Sequence, residues 1–226
     1  MRSVSATAEW RAAHPGAIIG LLELSRLDNT RPSLELDTRK RETEAGLRER
    51  YRGFGRREFL SVPVMAAYAQ YYKRFDKTYH VLLQLESIVA KGKSLPNVSP
   101  LVDANFMAEV ETLILTAGHD VGKLVGAVSI DVSRDGDQLT QMGGAPKAIP
   151  PGDMIMRDAK GVCCSILYGQ DNRSPISGET SHVLYVAYAP PRVPVETVQT
   201  QLRAVEAFVR MVSPTAVVEQ QQLLVA

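Results

Sequence analysis

Close to Gly118 the hydrophobic period of this chain changes from a helical period to a period of two, and that change limits the folds it can adopt. Before this point, apolar residues recur every three or four positions, as on one face of a helix. After it, Val128, Ile130 and Val132 alternate with polar or small residues, which is typical of a half-buried strand. The pattern predicts an α/β fold: a mixed, largely antiparallel sheet flanked by helices, with a helical N-terminal lead-in.

Helical spacing predicts two amphipathic helices in the first half, over residues 62–72 and 81–89. Asp103 is expected to cap a third helix, which Gly118 would close. His119 would then lie at that helix end, where a surface or capping role is expected.

Two segments of the first half depart from the amphipathic pattern. The short apolar run 17–22 predicts a buried strand. The charged stretch 32–51 has mixed signs and a poor apolar stripe, so it predicts an exposed helix.

The second half is expected to contain further strands, a final helix from Pro194 and a mobile tail. Its strands are predicted from apolar runs at 154–156, 162–168 and 183–188. We divide the chain into a helical N-terminal part, an α/β core and the tail, with bounds 1–96, 97–213 and 214–226.

Charge is divided unevenly along a chain whose net charge is only +1. Residues 1–100 carry 17 Lys and Arg against 11 Asp and Glu, and the remainder carries 9 against 14. The overall balance excludes a strongly basic nucleic-acid binder, but the first half could present a basic face to an RNA backbone. A solvated helix is the simpler interpretation of the same charges.

Standard catalytic signatures are missing from the sequence. It contains no Walker loop, no G-x-S-x-G turn and no H-E-x-x-H pair. Cys163 and Cys164 are adjacent and read as core residues, which favours a reducing compartment and a structural role. No metal-ligand spacing is present, so we expect no cofactor and no metal. No membrane span or signal core is apparent, and we expect a cytoplasmic protein.

Four stretches together resemble the tRNA-binding and editing domain of the phenylalanyl-tRNA synthetase beta subunit, the B3/B4 domain, in free-standing form. Residues 99–106 resemble its Val-Asp-x-x-Asn-aromatic segment, and 120–126 its Asp-x-x-x-Leu-x-Gly turn. Residues 157–162 resemble its Asp-Ala-x-Gly-Val hairpin, and 177–180 the segment before its last strand. The order and spacing of the four carry the resemblance, which extends over about residues 15–213.

The resemblance implies binding of an aminoacylated tRNA 3′ end and hydrolysis of the wrongly attached amino acid. Catalysis would rest on oriented water and fixed donors, without a covalent intermediate. The resemblance assigns catalytic roles to Asn105, Arg173 and Thr180: Asn105 orients the ester or ribose, and Arg173 meets a phosphate or carboxylate. The expected substrate-binding residues are Ala104, Ala117, His119, Tyr168, Gly169, Asp171 and Asn172.

The chain departs from the synthetase pattern at three places. Ala104 replaces a threonine, Ala117 stands where the synthetase has a histidine, and Pro175 lies nearest to its tyrosine-recognising glutamate. The resemblance therefore does not carry tyrosine specificity over to this chain. Two other hypotheses remain open: a module that binds RNA or an amino acid without hydrolysis, and a structural or regulatory partner that reuses the fold. The oligomeric state is not determined by the sequence.

Overall fold

A computed structural model describes residues 3–226. Its helices are α1 (Ala8–Ala13), α2 (Leu34–Arg50), α3 (Arg56–Ser61), α4 (Pro63–Lys73), α5 (His80–Val89), α6 (Pro100–Thr112) and α7 (Val195–Val212). Its strands are β1 (Val4–Ala6), β2 (Ile18–Ser25), β3 (Thr116–Asp120), β4 (Val128–Val132), β5 (Gln138–Thr140), β6 (Pro146–Ala148), β7 (Met154–Asp158), β8 (Gly161–Ser165), β9 (Gly169–Gln170), β10 (His182–Ala189) and β11 (Val217–Val225).

The strands form two main sheets and one short hairpin. The first sheet has the order β1-β4-β7-β8-β9, the second has the order β11-β2-β10-β3, and β5 pairs with β6. Among these pairs β1–β4 is parallel and the others are antiparallel. The mixed, largely antiparallel α/β fold predicted from the change of period is confirmed.

Helix α7 packs directly on the backbone of β2. The apolar residues at helical spacing on α7, including Val198, Leu202 and Val205, are buried. Gly20 of β2 allows the close approach, because a Cβ atom there would lie 2.8 Å from Cγ1 of Val198. Helix α6 packs beside α7, so the core lies between the second sheet and these two helices.

Most elements occur where the hydrophobic pattern predicts them. Helices α4 and α5 match the two amphipathic segments, and β2 matches the apolar run near the N-terminus. Strands β4, β7, β8 and β10 match the apolar runs of the second half. Cys163 and Cys164 are buried and free, as expected for core residues of β8.

The predicted end of α6 is wrong. The helix begins at Pro100, places Asp103 in its first turn and ends at Thr112, where Leu113 adopts φ +67°. Gly118 and His119 belong to β3, which pairs with β10. Apolar residues continue without a break from the helix into this strand, so the period does not show where one gives way to the other.

The expectations for the charged helix and for the tail are also corrected. Helix α2 is not simply exposed, because Leu36, Lys40, Glu44 and Leu47 are buried. The tail is not mobile in this structure, because β11 pairs with β2 along its whole length. Both segments lack a clear pattern of their own, and long-range partners order them. The division into N-terminal part and core stays a prediction, although β1 and β2 join the sheets of the second half.

Candidate functional site

A cavity of about 350 Å³ lies between α5, α6, β3 and the residues around β9. Its volume falls in the range of small-molecule sites. Apolar side chains form most of its wall, and a few polar groups converge on it. The lining residues are His80, Gln84, Val98, Val102, Asn105, Phe106, Glu109, Leu115, Thr116, Ala117, Gly118, Met142, Cys164, Ser165, Gly169, Gln170, Pro175, Ile176 and Tyr188.

One face of α6 supplies the polar part of this wall. Asn105 and Glu109 are four residues apart, so they lie one turn above the other on the same face. Both side chains bind the backbone of Thr116. The Asn105 amide nitrogen donates to the Thr116 carbonyl oxygen at 2.8 Å, and the Thr116 N–H donates to Glu109 Oε1 at 2.7 Å. The start of β3 thereby holds both side chains in place.

Glu109 is an unusual carboxyl group that the sequence analysis missed. Burial raises its pKa to about 8, and the hydrogen bond from Thr116 offsets this only in part. The group is therefore mostly neutral at pH 7. The i, i+4 spacing of Asn105 and Glu109 on a largely apolar helix was the available signal.

Asn105 lies in the cavity wall, as the resemblance implies. Because its nitrogen is committed to Thr116, its Oδ1 is the group left to accept a hydrogen bond. That oxygen is buried and has no partner among the described residues. The hydroxyl of Tyr188, in the wall on β10, is also buried, and its neighbour is the thiol of Cys164. Unpaired buried polar groups are costly, which favours a ligand that satisfies them.

The polar segment 168–180 contributes part of the opposite wall. Gly169, Gln170, Pro175 and Ile176 line the cavity, whereas Tyr168, Asp171 and Asn172 are not among its lining residues. The segment and the start of α6 thus meet at one cavity. The ring of Tyr168 instead makes cation–π contacts with Lys147 and Lys77, whose Nζ atoms lie 4.8 Å and 5.9 Å from the ring centroid.

Arg173 binds two carboxylates of the protein and is not part of the cavity wall. Its Nε lies 2.6 Å from Asp171 Oδ2, and its Nη1 lies 3.2 Å from Asp158 Oδ1. A further bond runs from Nη2 to the carbonyl of Val162 at 3.3 Å. This arrangement ties the 168–180 segment to β7 and β8.

We expect the substitution Arg173→Ala to lower the free energy of unfolding by about 2 kcal/mol. Asp171 is fully buried and would lose its cation, although the partial exposure of Arg173 reduces the cost below that of a fully buried pair. Urea denaturation at pH 7 measures the change. A stability equal to that of the unaltered chain would contradict the role of Arg173 in holding the 168–180 segment to β7 and β8.

Thr180 and Ala104 also lie outside the cavity wall. The hydroxyl of Thr180 donates to Asp120 Oδ2 at 2.7 Å and accepts from the N–H of Ser177 at 2.9 Å. Ala104 is buried in α6, while Ala117 does line the cavity. Thr180 therefore closes the turn before β10.

His119 is a fully buried residue of β3, which corrects its expected surface position at a helix end. Its Nδ1 lies 2.8 Å from Ser174 Oγ and 3.3 Å from Gln170 Nε2. Burial lowers its pKa to about 3, so the ring is neutral. His119 contacts the side chain of Gln170, which lines the cavity, without lining the cavity itself.

Cys164 and Ser165 line the cavity, but neither is an activated nucleophile. Burial raises the pKa of the Cys164 thiol to about 12, so no thiolate forms near neutral pH. The Ser165 hydroxyl donates to Asp153, whose pKa burial raises to about 7. Its hydroxyl also accepts the N–H of Tyr168, and within residues 3–226 no imidazole binds it, so the usual serine–histidine arrangement is missing there.

Most basic side chains of α2 form ion pairs with acidic residues of the protein. This argues against the basic, RNA-binding face that the charge distribution of the sequence suggested. Lys40 is buried against Asp103, and Arg39, Arg41 and Arg48 pair with glutamates.

In the described part of the chain, no three His, Cys, Asp or Glu side chains form a metal-binding group. None of the helices within residues 3–226 has the length and apolar character needed to cross a membrane.

Comparison with known proteins relates the chain to one family. The sequence model of the B3/4 domain matches residues 64–226. No curated protein sequence matches the chain. Among solved structures, an N-terminal fragment of the phenylalanyl-tRNA synthetase beta subunit from Pyrococcus horikoshii matches with a TM-score of 0.47 and 8% identity. The match covers 98% of this chain and 51% of that fragment, so the chain spans about half of its length.

Proposed function

Because the chain belongs to the B3/4 domain family, we propose that it is an aminoacyl-tRNA deacylase that removes a wrongly attached amino acid in trans. The resemblance of residues 99–106 and 157–180 to the synthetase editing domain supports this proposal. The family match extends over residues 64–226 and includes every residue that lines the cavity.

The convergence of α6 and the 168–180 segment on one cavity is the observation that carries the proposal. A volume of about 350 Å³ suits a single aminoacyl group. Val98 and Met142 are exposed apolar residues in the cavity wall, and the terminal ribose and base would rest against them. Apolar contact of this kind binds the different bases without discriminating between them.

Ester hydrolysis in this cavity would proceed by direct attack of water. The water oxygen bonds to the ester carbonyl carbon, and the bond from that carbon to the ribose oxygen breaks. The ribose oxygen takes up the proton that the water loses, so the products are the free amino acid and a ribose hydroxyl. The unpaired Oδ1 of Asn105 would accept a hydrogen bond from the water or from the neighbouring ribose hydroxyl, and so orient the reactants. The high pKa of Cys164 supports water as the nucleophile.

Contact with the tRNA backbone would involve few phosphates. Lys77 and Lys147 lie over the ring of Tyr168, and Lys123 donates to the carbonyl of Pro175 in the cavity wall. We therefore expect affinity for tRNA to fall only gently with salt, since each phosphate contact contributes about one unit to the logarithmic slope.

The test is the rate of ester loss from a panel of mischarged tRNAs incubated with the purified chain. Asn105→Ala should lower the rate about 100-fold, because one lost orienting group at a reacting centre typically has this effect. Ala117→Leu, which fills the cavity from its wall, should also abolish turnover. Gln221→Ala, at an exposed position on β11, is the matched control.

The other outcomes overturn either the deacylase or its location in this cavity. Ester loss that survives both Asn105→Ala and Ala117→Leu would place the chemistry elsewhere. Tight tRNA binding without ester loss would favour the binding module, and absence of binding at low salt would favour a structural partner.

A further inference from the structure

The buried polar side chains that line the cavity include Asn105, Glu109 and Tyr188, called here the floor cluster. Their exposed fractions are 6%, 2% and 0%. They come from two elements, α6 and β10. Buried polar groups in a mostly apolar cavity are the groups that orient a ligand.

The floor cluster offers acceptors that the protein leaves unused. Asn105 Oδ1 is free, since its amide nitrogen is held by the Thr116 carbonyl. Glu109 Oε1 is held by the Thr116 N–H. Because one residue anchors both side chains, the free amide oxygen and the carboxyl group stay close together in a fixed arrangement.

Within residues 3–226, none of the residues that line the cavity is Lys or Arg, and burial lowers the pKa of His80 in the wall to about 4. The neighbouring Tyr68, Tyr72 and Tyr79 are uncharged near neutral pH because burial raises the pKa of each, and the same holds for Cys164 and Tyr188 in the wall. The ionised form of Glu109 would therefore be stabilised by a positive charge that the ligand brings.

We propose that the floor cluster is an ammonium site, in which Glu109 and Asn105 bind the primary amino group of the ligand. Two ammonium hydrogens are donated to the Glu109 carboxylate and Asn105 Oδ1, and the third can reach the Tyr188 hydroxyl. This proposal rests on the proposed function in one respect: an aminoacyl ester carries a primary amino group, its α-amino group, that could bind here. Glu109 would then be a substrate-binding residue.

Binding in this way moves a proton out of the protein. Free Glu109 is mostly a neutral acid, and an ammonium neighbour stabilises its anion, so the carboxyl proton leaves to solvent as the ammonium enters. We expect close to one proton released per ligand at pH 7. Neutral ligands of the same shape should release none.

The experiment uses amino-acid amides, which contain no ester, with the full chain. Calorimetric titration of phenylalaninamide, leucinamide and alaninamide in two buffers of different ionisation enthalpy gives both affinity and proton release. N-acetylated forms of the same amides should bind at least 10-fold more weakly, without proton release.

Glu109→Gln separates the ammonium role from a packing role. Glutamine keeps an oxygen to accept the Thr116 N–H and removes the ionisable group. We expect at least 10-fold weaker amide binding and no proton release in this variant. Glu111→Gln is the matched control, because Glu111 lies on the same helix but pairs with Arg39 outside the cavity; its affinity should equal that of the unaltered chain.

The outcomes separate this inference from the deacylase itself. Amides that bind through Glu109, with no ester loss from any tRNA, would support the ammonium site and overturn the proposed function. Ester loss combined with equal binding of free and N-acetylated amides would do the reverse. Failure of every amide to bind, or Glu109→Gln affinity equal to the original, would overturn the ammonium site.

Discussion

Replacing Lys40 with methionine is expected to lower the free energy of unfolding by about 3–5 kcal/mol. The Lys40 side chain is fully buried, and its Nζ donates to Asp103 Oδ2 at 2.5 Å. It also donates to Asn97 Oδ1 at 2.7 Å and to the carbonyl of Pro96 at 3.0 Å. Methionine fills the space but leaves the buried Asp103 carboxylate without its cation, which is the costly part of the change.

Urea unfolding at pH 7 measures this effect. The double substitution of Lys40→Met with Asp103→Leu should recover part of the loss, because removing both charges leaves no unpaired ion. Arg52→Ala, which removes an exposed ion pair with Glu49, serves as the control and should change stability by less than about 1 kcal/mol. A Lys40→Met loss no greater than that of the control would show that the buried pair contributes little.

The pair also bears on the candidate site. Asp103 lies in the first turn of α6, two residues before Asn105, and its Oδ1 accepts the N–H of Val98. Lys40 therefore joins α2 to the start of the helix that supplies Asn105 and Glu109. Loss of this contact should reduce ligand binding as well as stability, since the position of α6 determines the cavity wall.

Glu109→Gln is expected to make the folded chain less sensitive to alkaline pH. The pKa of Glu109 is about 8 in the folded protein against 4.5 for the ordinary carboxyl, so the folded state holds a proton that the unfolded chain releases. The contribution of this group to the free energy of unfolding therefore falls as pH rises from about 4.5 to 8. The full difference is roughly 5 kcal/mol at about 1.4 kcal/mol per pKa unit.

Denaturation of both proteins at pH 5 and at pH 8 checks this expectation. The variant should gain stability relative to the unaltered chain between these two values, and Glu111→Gln should show no comparable gain. Comparison of two proteins at each pH cancels the other buried groups, such as Asp153, His14 and His119, whose shifted pKa values also make stability depend on pH. Parallel pH profiles for the two proteins would show that Glu109 is ionised in the fold.

Sequence periodicity was informative where an element carries its own apolar pattern. Val81, Leu85 and Ile88 place α5, and the alternation of Val128 and Ile130 places β4, because burial of one face demands those spacings. Asn105, in the segment 99–106 that carries the resemblance, lies in the cavity wall, and its catalytic role stays a prediction. Gly169 and Ala117 are lining residues that the same resemblance identified.

Partners distant in sequence decided the remaining features. Arg173 was expected to meet a substrate anion, but Asp158 and Asp171 occupy its guanidinium group. Thr180 and His119 likewise bind protein groups rather than line the cavity. A polar residue in a loop looks the same in the sequence whether it binds the protein or a ligand, so only the fold distinguishes these cases.

The sequence by itself determined the α/β class, the family resemblance and the segments that meet at the cavity, because these depend on local periodicity and short motifs. Only the tertiary structure revealed that Lys40 is buried, that β11 completes a sheet and that Glu109 is held neutral. The physical reason is that burial and charge pairing depend on which distant side chains surround a group, and no local pattern records those neighbours.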